Sequence, residues 1–91
     1  MAGAYRTLDF TPEFLEDVVG PDFTERDRRR FVRALRLLDE NERQPSLRVH
    51  QLEGELAGRW SAAASDELRM TFRRTGGGRK LLLTCSRHYA R

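Results

Sequence analysis

Two histidines and several arginines are the side chains of this sequence that could do acid–base and phosphate chemistry. His50 lies in a segment of alternating character, and His88 follows the last apolar segment and precedes Tyr89. An imidazole can remove or supply a proton near neutral pH, and a guanidinium can stabilise the charge of a reacting phosphate. Together such groups could cleave RNA without a metal ion, through attack by the ribose 2′-hydroxyl. DNA lacks that hydroxyl, so such a site would be specific for RNA.

Strand periodicity predicts that several of these cations share one surface. Polar residues lie two positions apart in two predicted strands: Arg48 and His50 in one, and Arg69, Thr71 and Arg73 in the other. Successive side chains of a strand point to opposite faces, so each row lies on a single face. If both rows point to the same side, they line an open sheet surface. Arg87, His88 and Tyr89 follow the last strand and could fold over its edge.

Each candidate also has a plain structural interpretation. His50 and His88 could be ordinary surface histidines, and Arg69 could simply pair with Asp66 or Glu67. Trp60 is more often a core residue than a platform on which a base stacks. From the pattern of residues alone, both interpretations stay open.

Other motifs do not indicate a second kind of chemistry. Gly76, Gly77 and Gly78 lie between two predicted strands with no helix after them, so they predict a turn and not a phosphate-binding loop. Cys85 lies in an apolar strand and is interpreted as a packing cysteine. The two histidines are 38 positions apart with no ligand spacing around them, so we predict no metal and no cofactor.

The first half of the chain predicts a strand and two helices. Tyr5–Phe10 alternates as a short strand, and Thr11 and Pro12 open a first helix, which ends at Gly20. Apolar residues recur at helical spacing in a second helix, from about Glu25 to Glu42. Its many arginines are interleaved with acidic residues, which favours a solvated helix face over a direct role in RNA binding.

The second half changes to a period of two and predicts a sheet. The predicted strands are Leu47–Leu52, Arg59–Ala62, Leu68–Arg73 and Lys80–Cys85, with a turn region from Gly54 through Gly58. We predict an α+β fold of order β-α-α-β-β-β, in which an antiparallel sheet carries a helical hairpin on one face.

Composition limits the chain to one small domain. Its 91 residues are 38% hydrophobic and 34% charged, so we expect a single domain over residues 1–91. The net charge of +3 is uneven, because residues 46–91 carry +5 and residues 1–45 carry −2. The sequence has no apolar run long enough to cross a membrane and no secretory signal, and its one cysteine cannot form an internal disulfide. We therefore expect no membrane partner and a cytoplasmic location.

The second half also resembles a known family. The residues that carry the resemblance are Leu47–Gly54, Gly58–Ser61, Asp66–Phe72 and Thr84–Tyr89. These segments are similar to the RelE/ParE toxin superfamily. The Trp60-Ser61 pair, the arginine nine residues after that Trp and the terminal His88-Tyr89 look most like the YoeB-type branch.

The resemblance implies a toxin of a type II toxin–antitoxin pair. Such a toxin is an endoribonuclease that enters the ribosomal A site and cuts the bound mRNA without a metal ion. Carried over by position, Arg69 matches the arginine that stabilises the scissile phosphate, His88 the proposed general acid and Tyr89 the adjacent aromatic. His50 matches a histidine of YoeB-type and YafQ-type members, and we include it among the catalytic candidates. We predict RNA binding by Arg48, Arg59, Arg73 and Arg87.

One position departs from the YoeB-type pattern. Ser46 stands where those toxins have the glutamate that acts as general base, and a serine hydroxyl cannot serve as a base at neutral pH. Either His50 takes the proton, or Glu53 or Glu55 substitutes, or the enzyme is slow. Ser46 therefore keeps open the alternative of a catalytically weakened relative that acts as a binding module. A ParE-like toxin that inhibits DNA gyrase is a second alternative, because it shares the fold and needs no catalytic histidine, although the terminal His88-Tyr89 argues against it.

The predicted partners are macromolecules. They are a cognate antitoxin, the mRNA in the ribosomal A site and ribosomal RNA. An acidic, partly disordered antitoxin segment could cover a basic sheet face and fold as it binds. The sequence does not identify the antitoxin, the codon preference, the oligomeric state or the organism.

Overall fold

A five-stranded sheet forms the centre of the protein. The computed structural model describes residues 5–87. The strands are β1 (Leu8–Phe10), β2 (His50–Gln51), β3 (Trp60–Ala63), β4 (Leu68–Gly76) and β5 (Arg79–Arg87), and the helices are α1 (Pro12–Val19) and α2 (Glu25–Glu40). Short 3-10 turns occupy Pro45–Leu47 and Gly54–Leu56. The strand order in the sheet is β1-β5-β4-β3-β2.

The predicted α+β fold, with two helices packed on one sheet, is confirmed, and two details of the prediction are wrong. The sheet is mixed and not antiparallel, because β1 runs parallel to β5 while the other pairs are antiparallel. The element order is β-α-α-β-β-β-β: each of the four segments predicted as strands in the second half overlaps one, and the predicted order β-α-α-β-β-β counts one strand too few. Side-chain alternation reports that a segment is a strand, but it carries no information on the direction of the partner strand.

A threonine caps each helix at the position just before its first residue. The hydroxyl of Thr11 accepts a hydrogen bond from the amide of Phe14. Thr24 accepts from the amide of Asp27, whose carboxylate in turn accepts from the amide of Thr24, which completes a capping box. The second helix ends at Glu40, two residues before the predicted end.

The core lies between the helices and one face of the sheet. Phe14, Phe31 and Leu38 from the helices are 0–1% exposed, and so are Met70 and Phe72 from β4. Trp60 is half-buried and packs against this cluster, as expected of a core residue. The opposite face of the sheet carries no helix from residues 5–87 and is the surface on which the candidate site is built.

The predicted strand Leu47–Leu52 is wrong over its first half. Leu47 ends a 3-10 turn that begins at Pro45, and Arg48 follows in the left-handed region with φ of 47°. Only His50 and Gln51 pair with β3. The proline fixes the turn locally, and burial of Leu47 at 1% exposure directs the turn into the core. Both effects override the alternating pattern.

A buried lysine ties the segment after α2 to the sheet. The side chain of Lys80 is only 4% exposed, and its Nζ lies 3.3 Å from Glu42 Oε2 and 3.2 Å from Thr7 Oγ1. Arg74 forms a bidentate pair with the same carboxylate and places its guanidinium carbon 4.2 Å from the ring centroid of Trp60. One carboxylate therefore balances two cations.

Replacing Glu42 with Gln is expected to lower the free energy of unfolding by about 2–3 kcal/mol. The change keeps the shape of the side chain but leaves the ammonium of Lys80 without a counter-ion in the core. The loss falls below the upper range for buried pairs because Glu42 is 30% exposed. Denaturant unfolding monitored by Trp60 fluorescence measures it. Adding Lys80→Met should recover part of the loss, and a double variant no more stable than Glu42→Gln would contradict this interpretation.

The same carboxylate gives the stability a pH dependence. The hydrogen bond from Arg74 lowers the pKa of Glu42 from its usual value, and the charge of Lys80 acts in the same direction. A lowered folded-state pKa adds stability that is present above the unfolded-state pKa and is lost as the pH falls through the folded-state pKa. The wild-type protein should therefore lose stability in acid more steeply than Glu42→Gln.

Candidate functional site

A polar row crosses four strands on the face of the sheet away from the helices. His50 lies opposite Ser61, Ser61 opposite Thr71, and Thr71 opposite Thr84. Directly opposed residues of antiparallel strands project to the same face. The hydroxyl oxygens of Thr71 and Thr84 are 2.6 Å apart. We call this surface the open face.

Two predicted arginines project from the open face beside this row. Leu68, Met70 and Phe72 of β4 are fully buried in the core, so the alternate residues Arg69 and Arg73 point away from it. The prediction that Arg69 and Arg73 share a face with Thr71 is confirmed. Since His50 lies in the row of Thr71, the open face brings His50 to the same side as both arginines.

The guanidinium of Arg69 is held over the turn between β3 and β4. Its Nη1 donates to the carbonyl oxygens of Ser65 and Leu68, the second at 3.1 Å. Both bonds use the same nitrogen. No other residue in the part of the chain that the structure describes is hydrogen-bonded to Nε or Nη2, so these donors can face an anion.

The imidazole of His50 is oriented by the backbone. Its Nδ1 lies 2.8 Å from the carbonyl oxygen of Arg48. Since a carbonyl oxygen only accepts, Nδ1 carries the proton of the neutral ring and Nε2 carries the lone pair. The exposed ring therefore presents a proton acceptor at Nε2.

The alternating pattern predicts that Arg48 shares a strand face with His50, and this prediction is wrong. It precedes β2 in the left-handed conformation, and its guanidinium lies 3.9 Å from the carboxylate of Asp66 in an exposed ion pair. This pair joins the Pro45–Leu47 turn to the β3–β4 turn. Arg48 consequently lines the edge of the domain and not the centre of the open face.

Arg87 lies on the helix side of the sheet. It is paired with the core residue Leu68, and its guanidinium forms ion pairs with Asp27 of α2 and, at 3.2 Å, with Glu67. The guanidinium also lies 5.9 Å from the ring centroid of Phe23. These contacts join the end of β5 to the start of α2. RNA binding by Arg87 stays a prediction, as does that of half-buried Arg59, which precedes β3.

His88 and Tyr89 lie outside the described residues. The described chain ends at Arg87, opposite the residue that precedes Arg69. The catalytic roles that the resemblance gives to His88 and Tyr89 therefore stay predictions.

A cleft of about 540 Å³ opens beside Arg69, between α2 and the two turns. The residues that line it are Arg30, Arg33, Ala34, Leu37, Ser46, Leu47, Arg48, Ala63, Ala64, Ser65, Asp66 and Glu67. Ser46 is exposed on its wall. Sequence reasoning had interpreted the arginines of α2 as a solvated face and so missed Arg30 and Arg33. Their spacing of three, with Ala34 and Leu37 on the same helical stripe, was the available signal.

The described residues contain neither a cluster of metal-ligating side chains nor a reactive thiol. No group of three or more His, Cys, Asp or Glu side chains within residues 5–87 is placed to hold a metal ion. Burial raises the pKa of the Cys85 thiol to about 12, so it stays protonated and packs in the core. Neither helix of this region combines the length and the apolar character needed to cross a membrane.

The fold matches that of bacterial toxins. A YoeB/ParE toxin from Agrobacterium tumefaciens superposes with a TM-score of 0.65 at 28% identity, over 92% of this chain and 100% of that one. The E. coli DinJ-YafQ toxin-antitoxin complex gives 0.69 at 16% identity, over 93% and 94% of the two chains. The RelBE2 toxin-antitoxin complex of Mycobacterium tuberculosis gives 0.63 at 20% identity, over 93% and 100%.

The chain has the fold of the RelE/ParE toxin superfamily, which confirms the resemblance found in its sequence. The likeness includes the YoeB type, since a YoeB dimer from Staphylococcus aureus also matches, with a TM-score of 0.62 at 21% identity over 94% of this chain and 100% of that one. No protein-family model matches the chain, and no curated protein matches it.

Proposed function

We propose that this protein is the toxin of a type II toxin–antitoxin pair and cleaves mRNA in the ribosomal A site. The observation that supports this most directly is the placement of His50 on the same sheet face as Arg69 and Arg73. His50 and Thr71 are separated by two strand spacings, roughly 10 Å. Arg69 lies two residues along β4 from Thr71, and its long side chain and the imidazole can approach one ribose and its phosphate from two sides. The likeness to solved toxins supports the same class.

The proposed reaction is a phosphoryl transfer without a metal ion. His50 Nε2 takes the proton of the 2′-hydroxyl, whose oxygen attacks the adjacent phosphorus. The bond from phosphorus to the 5′-oxygen breaks, and that oxygen receives a proton from His88, the residue to which the resemblance gives this role. Arg69 donates from Nε and Nη2 to the phosphate oxygens as their charge increases. The products are a 2′,3′-cyclic phosphate and a 5′-hydroxyl.

His50 takes the role of base because Ser46 cannot. A serine hydroxyl is not a base at neutral pH, whereas the hydrogen bond from His50 Nδ1 to the carbonyl oxygen of Arg48 leaves Nε2 available as a proton acceptor. Glu53 and Glu55 are exposed in the loop after β2. They are the competing candidates and are tested below.

The proposed RNA contacts extend beyond the open face. Arg73 on that face and Arg48 at the edge of the domain contact the mRNA or the ribosomal RNA around the A site, because guanidinium groups bind phosphate strongly. RNA contacts by Arg59, before β3, and by Arg87, on the helix side, are part of the same proposal. A cognate antitoxin covers this basic surface and suppresses cleavage. Ribosomes and mRNA place the site of action in the cytoplasm.

Primer extension on a defined mRNA tests the function. The purified protein should produce cuts within the A-site codon when programmed ribosomes are present, and no cuts when they are absent. His88→Ala should abolish the cuts, and Arg36→Gln on the exposed face of α2 should retain them. Absence of cleavage in both conditions would contradict the proposal, and inhibition of DNA gyrase by the same preparation would then assign the ParE-like activity.

A further inference from the structure

The cleft beside Arg69 has a charged rim and an apolar floor. Arg30 and Arg33 come from α2, Arg48 from the turn opposite, and Ala63 and Ala64 form the floor at the end of β3. Its volume of about 540 Å³ falls in the range of small-ligand sites and is large enough for one nucleotide.

The charge of the cleft is positive once its ion pairs are counted. Its two carboxylates are engaged, since Asp66 lies 3.9 Å from Arg48 and Glu67 lies 3.2 Å from Arg87. Among residues 5–87, Arg30 and Arg33 have no acidic side chain within ion-pair distance. These two guanidinium groups are therefore available to an anionic ligand.

The cleft is continuous with the candidate cleavage site. Ser65 lines the cleft, and its carbonyl oxygen accepts the hydrogen bond from Nη1 of Arg69. A strand whose scissile phosphate lies on Arg69 can therefore pass over Ser65 into the cleft. An acidic peptide would satisfy the same arginines, but this continuity favours the ligand that Arg69 is proposed to bind.

We propose that the cleft is a subsite for one nucleotide of the RNA strand next to the cleavage point. Arg30 and Arg33 bind its phosphate, and the base lies against the alanines of the floor. This inference rests on the proposed function and adds to it a binding role for α2. The subsite acts in binding and not in the chemical step.

Binding to a single-stranded RNA oligonucleotide tests the subsite. The oligonucleotide carries 2′-deoxyribose at the cleavage point so that it is not cut, and affinity is measured by fluorescence anisotropy from 50 to 200 mM salt. Because both arginines bind the same phosphate, losing that contact lowers the slope of log K against log salt by about 0.7, the value per phosphate for single strands. We expect this change in Arg30→Gln/Arg33→Gln.

A matched control separates the cleft from general charge. Arg29→Gln/Arg36→Gln removes the same two charges from exposed positions of α2 that do not line the cleft, and should change the slope by less than half as much. Ala64→Leu fills the floor without changing the charge, and should weaken binding with the slope unchanged. Equal slope changes in the two double variants would overturn the subsite.

The remaining outcomes distinguish this inference from the proposed function. If wild-type protein cleaves mRNA on ribosomes and Arg30→Gln/Arg33→Gln binds RNA normally, the subsite alone is overturned. If that variant loses affinity only for an acidic polyglutamate peptide, the cleft belongs to a protein partner and the subsite is again overturned. If the wild type neither cleaves mRNA nor binds the oligonucleotide, both the subsite and the proposed function fail.

Discussion

Arg69→Gln protein is expected to cleave mRNA on programmed ribosomes about 10²–10³-fold more slowly than the wild type. The amide can still donate one hydrogen bond, but it carries no charge to balance the phosphate as the 2′-oxygen attacks. Losses of this size are typical when a preorganised donor to a developing charge is removed. Single-turnover cleavage measures the chemical step without product release.

The control for Arg69 must separate charge from geometry. Arg69→Lys keeps the charge but replaces the planar guanidinium, which can donate two parallel hydrogen bonds, with a compact ammonium. It should therefore retain only part of the wild-type cleavage rate. Thermal unfolding of both variants should stay near that of the wild type, because Arg69 is only half-buried and the backbone turn beside it also has the Ser65 hydroxyl bonded to the amide of Leu68. A stable Arg69→Gln protein that cleaves at the wild-type rate would remove Arg69 from the site.

Local signals predicted the parts of the fold that depend on neighbours in sequence. Thr24 and Asp27 form a capping box because both groups lie within one helical turn, and this pattern is visible in the sequence. The alternation of Arg69, Thr71 and Arg73 with core residues follows from strand geometry alone. The shared face of His50 and Thr71 depends on strand register, which alternation suggested but could not fix.

Long-range packing decided the parts that sequence could not give. Arg48 lies outside β2 because Pro45 and the buried Leu47 form a turn. The prediction that Arg48 and His50 share a strand face is therefore wrong. From the sequence, Arg33 is indistinguishable from a solvated arginine on an amphipathic helix. Only the folded structure places the β3–β4 turn opposite it. Likewise, the ion pair of Arg87 with Asp27 joins residues 60 positions apart. The ion pair of Arg87 has no local signature, and the burial of Leu47 and the position of the β3–β4 turn opposite Arg33 are likewise set by packing.

His50→Gln is expected to reduce cleavage by about 10²-fold or more, within the usual contribution of a general base. Glutamine is polar and uncharged at this exposed position, so the fold should be retained, but it offers no nitrogen lone pair to the 2′-hydroxyl. Single-turnover rates on programmed ribosomes test this.

The competing bases provide the control for His50. Glu53→Gln and Glu55→Gln each remove an exposed carboxylate near β2, and both should cleave at the wild-type rate. If Glu53→Gln or Glu55→Gln loses activity while His50→Gln retains it, the proton goes to the loop after β2. Ser46→Glu introduces the carboxylate that YoeB-type toxins have at this position. It should restore cleavage to the His50→Gln protein if positions 46 and 50 approach the same 2′-hydroxyl. If none of the single substitutions changes the cleavage rate, none of these groups is the base. The enzyme would then lack a general base and be slow, and the role given to His50 would be wrong.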